Sequence, residues 1–460
     1  MEPAELDVLG LREQLFHERV REWLICTLLF ASLYILCHFI ITRFKKHADF
    51  TTVQDDEDAA VDRIALSMCT FTLAVSLGAV LLLPFSIVTN EVLLLFPHNY
   101  YIQWLNGSLI HGLWNLVFLF SNLSLVFLMP FAYFFTEAEG FAGSKKGILA
   151  RVYETFVVLL LLTLLVLGMV WVASAIVDED AGSRESLYDL WEYYLPYLYS
   201  CISLFGVLLL LLCTPIGLSR MFTVTGKLLV KPRLLEDLHE QLNCTRFEEA
   251  ALSRKISAEL RHGASPWQRN LGYPLAMLCL LALTGISVLV VCFHTLELLL
   301  DDAAMPRGIQ DAPLGQVSFS IFGSFGAALQ VVLIFYLMVS SFVGFYSSPL
   351  FTRLLPARQD TPMTKIIGNC VSLLVLSSAL PVFSRTLGIT RFDLLGDFGR
   401  FNWLGNFYIV FLYNMLFAAL TTLCLVKKFT WAVRAELIRA FGLHKLPLPV
   451  PRTRQASKLC

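Results

Sequence analysis

Nine runs of almost uninterrupted apolar residues decide what this 460-residue chain can become. They occupy residues 23–41, 64–88, 109–135, 153–177, 195–214, 271–293, 325–345, 366–383 and 407–426. Each is close to the roughly 20 residues a helix needs to cross a hydrocarbon core. Only 15% of the chain is charged and 57% is hydrophobic, too little charge to cover the surface of a soluble protein of this size. The expected fold is all-α, a polytopic transmembrane helical bundle of about nine spans. Residues 92–105 are also apolar but shorter, and they carry Pro97, His98 and Asn99. They are expected to form an interfacial loop, with Tyr100, Tyr101 and Trp104 at headgroup level. Pro84, Pro130, Pro215 and Pro381 are expected near span ends or just past them. The first 20 residues hold several acidic and basic residues, so no cleavable signal peptide is expected and the first run serves as a span.

Lys/Arg bias sets the orientation of such a bundle. With the amino terminus outside, Arg43, Lys45, Lys46, Lys145, Lys146 and the basic residues of the central segment and tail all become cytosolic. Only Arg12, Arg19, Arg21, Arg184, Arg307, Arg385, Arg391 and Arg400 of the 35 basic residues then remain outside. The implied organisation is an extracellular segment (1–22), spans one to five (23–214), a cytosolic loop (215–270), spans six to nine (271–426) and a cytosolic tail (427–460). A net charge of -1 offers no basic field for nucleic acid.

None of the 11 cysteines falls in an expected outside loop, so buried thiols are expected rather than disulfides. Of the three Asn-x-Ser/Thr sequons, only that at Asn106 lies on the expected outer side, crowded against the third span. In the central loop, Leu235, Leu238 and Leu242, then Leu252, Ile256 and Leu260, mark two short amphipathic helices. In the tail, Val433, Leu437 and Phe441 share a face away from Arg434 and Arg439, suggesting a basic helix lying on the anionic inner leaflet.

The search for chemistry is mostly negative. There is no glycine-rich phosphate cradle, no His-Glu-x-x-His, no nucleophile elbow and no kinase set, so no enzyme and no cofactor is expected. Three features stand out. Ser108, His111, Asn115 and Asn122 follow at helical spacing along the third span, and polar groups at that depth must face other helices or water. They serve either as interhelical hydrogen-bonding glue, about 0.6 kcal/mol per contact, or as a ligand or transport path. Arg391, Asp393, Asp397 and Arg400 alternate with glycines and aromatics in the last outside loop, the pattern of an ordered lid held by Arg–Asp pairing. Tyr153 and Phe156 have the spacing of a weak endocytic signal.

The run NYYIQWLNGSLIHG at residues 99–112 and the segment at 363–413 together resemble the limb region 1 family of multi-pass membrane proteins. REQLFHERVRE at 12–22, VLLLPFSIVTNEVLL at 80–94 and AELIRAFGL at 435–443 bring it nearest to the family's lipocalin-receptor branch. The family has a longer coiled-coil-like insert in the central loop; here residues 247–267 are short. The resemblance implies a non-enzymatic receptor that binds and internalises a lipocalin at the plasma membrane. It also implies an endoplasmic-reticulum role as a negative regulator of Wnt/β-catenin signalling in lymphocyte development, with ubiquitin ligase components and Wnt receptors as partners. A homo-oligomer is compatible with it. A polytopic small-molecule transporter using the third-span stripe is the alternative, given a distant likeness to a lysosomal vitamin carrier family.

Overall fold

In lipid no water is present to pair backbone N–H and C=O groups, so an apolar run closes its hydrogen bonds internally and becomes helix. A computed structural model of the protein describes residues 3–45, 56–96, 107–138, 147–177, 187–230, 272–300, 323–357, 360–399 and 403–440. The helices are α1 (Pro3–Phe44), α2 (Asp56–Leu95), α3 (Gly107–Leu123) and, after a π-helical turn at Ser124–Leu128, α4 (Met129–Glu137). There follow α5 (Ile148–Val177), α6 (Leu187–Val230), α7 (Tyr273–Leu300), α8 (Ser324–Ser347), α9 (Met363–Ser378), α10 (Leu380–Thr386) and α11 (Phe407–Ala440). Nine stretches among the described residues are long and apolar enough to span a bilayer, as expected. The third combines α3, the π turn and α4, and the eighth combines α9 and α10. The described residues contain no named strand, only an isolated bridge between Lys45 and Thr361.

Several boundaries differ from the sequence expectation. Residues 92–95 belong to α2 rather than to an interfacial loop, and Pro84 sits well inside that helix. Pro215 is likewise interior to α6, which runs unbroken to Val230. Apolar patterning underestimates helix length because helical backbone hydrogen bonding propagates beyond the last hydrophobic residue into polar flanks that favour helix. For the same reason residues 429–440 prolong α11 and do not form a separate helix folded onto the leaflet. Residues 3–22 prolong α1 ahead of the first span in the same way. Pro381 is where sequence places it, at the second position of α10, directly after the helix breaks at Ala379. The central-loop amphipathic helices and residues 97–106 lie outside the described residues.

The bundle has an inner set and an outer set. The eighth span, 363–386, is 78% buried along its most apolar window, whereas the fourth, 148–165, is 6% buried. Spans two, five and seven join the eighth inside. What separates them is side-chain size. The fourth span is rich in Leu and Val, which lipid solvates as well as protein does. The inner helices carry Gly, Ser, Thr and Ala at their contacts, allowing backbones to approach.

The closest approach is between α6 and α8. A Cβ on Gly217 would lie 1.7 Å from the Ser340 carbonyl oxygen, and one on Gly344 would lie 1.9 Å from that of Cys213. Thr214 Oγ1 and Ser341 Oγ share a hydrogen bond of 2.8 Å beside them. α6 also meets α9 closely, since a Cβ on Gly206 would fall 2.6 Å from that of Ala379. One turn of α6 has its own anchor, with the Tyr199 hydroxyl donating to the Ser378 carbonyl at 3.0 Å. Tyr413 of α11 donates to the Val207 carbonyl. The nine cysteines among the described residues are free.

Gly217→Ala and Gly344→Ala should each destabilise the protein by at least about 1–3 kcal/mol, because the added carbon forces the two backbones apart. Gly112→Ala, where nothing lies within 4 Å of the new atom, should be silent. Thermal unfolding followed by size-exclusion chromatography in detergent distinguishes the three.

Candidate functional site

The loop that follows α10 is built from its own sequence signals. Gly388 has φ of +71° and ends α10: its N–H donates to Arg385 and that of Ile389 to Ser384. This double bond pattern needs a left-handed residue, hence glycine. The chain then turns again where Asp393 Oδ1 accepts from the N–H groups of Leu395, at 2.9 Å, and Gly396, at 3.2 Å. Gly396 takes the second positive φ, +50°, which lets an aspartate-centred turn close. Side-chain anchors hold the loop to three helices. Gln330 of α8 donates to the Ile389 carbonyl, Asn414 of α11 donates to Thr386, and Arg385 of α10 donates to Thr390.

Leu387, Ile389, Phe392, Leu394, Leu395 and Phe398 of this loop are buried, so the loop is a packed cap over one end of the bundle. Phe398 sits 5.4 Å from Phe118 and 5.8 Å from Tyr199, ring to ring. Trp114 stacks on Phe118 at 5.3 Å and donates its indole N–H to Ser86 of α2 at 3.0 Å. A continuous aromatic column therefore joins the cap to the third span.

The expected charge pattern meets this geometry in part. Arg391 forms an ion pair with Glu297, near the end of α7. Asp393 serves the turn described above. The side chain of Asp397, within a short 3-10 turn at Gly396–Gly399, and the whole of Arg400 lie outside the described residues. Glu297 and its neighbour His294 were not singled out by sequence. His294 is buried beneath the cap, with Nδ1 4.0 Å from the Glu297 carboxylate and, among the described residues, neither ring nitrogen hydrogen-bonded. Gly388 covers the ring so tightly that a Cβ would fall 2.3 Å from His294 Cγ. The one available signal for Glu297 was its place as the sole acid in an apolar run; Arg391, 94 residues away, stood out in its own loop, but nothing local linked the two.

The third-span stripe divides along its length. Asn115 is half-buried and faces the cap: its Oδ1 is 3.8 Å from where a Cβ on Gly396 would stand. His111 is half-buried one turn closer to the start of α3. Ser108 lies in the first turn of α3, its side chain outside the described residues. Asn122 lies about 10 Å further along, two turns from Asn115. Among the described residues both of its side-chain polar atoms are buried without a hydrogen-bond partner, as are the hydroxyls of Ser121 and Ser124. These orphans flank the start of the π-helical turn, a distortion that often marks functional positions. Buried polar groups left unpaired within the protein call for water or a ligand. Tyr153 and Phe156 stand exposed in the first turns of α5. Among the described residues no group of three or more His, Cys, Asp or Glu could hold a metal ion.

The LMBR1-like membrane protein family matches residues 22–262 and 257–429. Protein LMBR1L of Mus musculus is 75% identical over 485 aligned positions, covering 100% of this chain and 99% of that protein. Protein LMBR1L of Homo sapiens is 74% identical with the same coverage. The human Limb region 1 protein homolog is 64% identical, over 96% of this chain and 95% of its own length. No solved structure matches.

Arg391→Ala should cost under about 1 kcal/mol, since both partners are about one third exposed, at 34% and 35%. Gly388→Ala should cost more, because it combines a strained backbone with displacement of the His294 ring. Thermal melts of the two variants against the unsubstituted protein decide the order.

Proposed function

We propose, from the premise that the chain belongs to the LMBR1-like membrane protein family, that it is a non-enzymatic multi-pass receptor that binds and internalises a lipocalin. The observation that favours this reading is the packed cap at residues 387–399. A receptor without a folded ectodomain must present ligand contacts on short elements next to the membrane, and recognition from a rigid loop costs less ordering entropy than from a mobile one. The cap lies at the end of the bundle that the Lys/Arg bias assigns to the outside. In this reading the protein works at the plasma membrane and the endoplasmic reticulum membrane. Its longer helices α6 and α11, which run on past the opposite face, are where ubiquitin ligase components and Wnt receptors would dock in restraining Wnt/β-catenin signalling.

A second reading has its own observation. The unpaired Asn122, Ser121 and Ser124 side chains beside a π turn are what a polar solute path through the bundle would require, and they favour a small-molecule transporter. Asn115 against the cap would then line the entrance.

Cells displaying the protein should take up fluorescent lipocalin, and deleting residues 3–22 or changing Arg391 and Asp393 together to alanine should abolish uptake at matched surface levels. Undiminished uptake by every variant would sink the receptor reading. His111→Ala with Asn115→Ala should leave uptake intact but abolish solute flux if the second reading holds.

A further inference from the structure

Lys428, the last residue of the ninth span, is half-buried and donates its ammonium to the Thr223 hydroxyl of α6. Arg220, one turn back on α6, lies within electrostatic reach and repels it. Lys427 adds a third, exposed cation. Among the described residues none of these three has a carboxylate within ion-pair distance, although other cations at this end do: Lys45 pairs with Asp62 at 3.1 Å. Like charges brought near each other by two packed helices, with no carboxylate partner among the described residues, leave an uncompensated positive field.

We propose that Arg220, Thr223, Lys427 and Lys428 form a binding site for the phosphate headgroup of an anionic membrane lipid. Two observations choose a lipid over a phosphate from solution. The candidate spans Leu198–Gly226 and Phe407–Lys428 both end here, which sets the cations at headgroup depth, where attraction to anionic lipid is strongest. Apolar side chains also continue from the site into the bilayer. Lys427, Leu423 and Leu416 share one face of α11 by their spacing, and both leucines are exposed. A headgroup on the cations would lay its acyl chains along that face. Basic residues recur seven positions further along both helices, at Lys227 and Arg434, so the field extends beyond the membrane edge. The lipid would tie α6 to α11 on the face that the Lys/Arg bias makes cytosolic.

The test uses the full chain purified in detergent, with bound lipid counted by native mass spectrometry and thermal stability measured in parallel. The probes are dioctanoyl phosphatidylserine, dioctanoyl phosphatidylcholine and inorganic phosphate. The unsubstituted protein should bind phosphatidylserine in preference to phosphatidylcholine and be stabilised by it. Arg220→Gln with Lys428→Gln should weaken this binding by about thirtyfold, the loss of two cations each acting at the membrane surface. Arg220→Gln alone changes an exposed side chain, so it leaves the fold intact and should show part of the loss. Arg353→Gln with Lys365→Gln, two cations on other elements, should leave phosphatidylserine binding unchanged. Equal binding of phosphatidylcholine, or full phosphatidylserine binding by the double variant, overturns the proposal. Equal stabilisation by inorganic phosphate at the same concentration overturns the lipid assignment in favour of a soluble anion.

Discussion

The backbone contact between α6 and α8 carries the rest of the architecture. Gly217 and Gly344 each lie against the other helix's carbonyl groups, a distance no side chain tolerates. Inside a membrane there is little hydrophobic gain in bringing two apolar helices together, because lipid tails are as apolar as leucine. Close dispersion contacts and weak Cα–H···O interactions supply the attraction instead, and both need backbones near each other. Once α6 and α8 are locked, Gly206 admits α9 and the Tyr199 hydroxyl fixes it to Ser378. The Leu-rich spans then occupy the perimeter, where exchanging lipid for protein gains little.

That scaffold also explains why the cap is ordered. Tyr199 rises from α6 into the aromatic column, and Phe398 descends from the cap to meet it. The loop does not depend on its ion pair, which is part-exposed and correspondingly weak. It depends on two glycine-centred turns and on six apolar side chains placed into a pocket formed by spans already held in position. A surface built this way moves with the bundle. Events at the cap therefore have a mechanical route through Trp114 and Phe118 toward the unpaired polar groups around Asn122.

The two ends of the molecule differ in kind. One is closed by a packed loop whose Arg391 pairs with Glu297 and whose Asp393 closes a turn; the other has extended helices and cations, some with and some without a carboxylate partner among the described residues. Lys45–Asp62 and the Phe44–Thr361 backbone contact tie α1 and α2 to the start of α9. Among the described residues Arg220 and Lys428 have no carboxylate partner, and a negatively charged lipid is the partner such a field attracts at that depth.

The number of spans was legible in the sequence because hydropathy is a property of each segment alone. So was the family resemblance, which rested on long unbroken runs. The polar character of the third span was also visible, since helical spacing places Asn115 and Asn122 on one stripe whatever surrounds them. What each residue meets was not. Asn115 beside Gly396, Arg391 on Glu297 and Gly388 over His294 join positions far apart in sequence, and no local pattern encodes such pairs. Helix ends past Val88, Thr214 and Val426 were misjudged because hydrogen bonding, not hydropathy, decides where a helix stops. The ranking of inner and outer spans had the same origin. All nine are apolar enough to enter a membrane, but only the packed structure shows which of their glycines and serines face a neighbour and which face lipid.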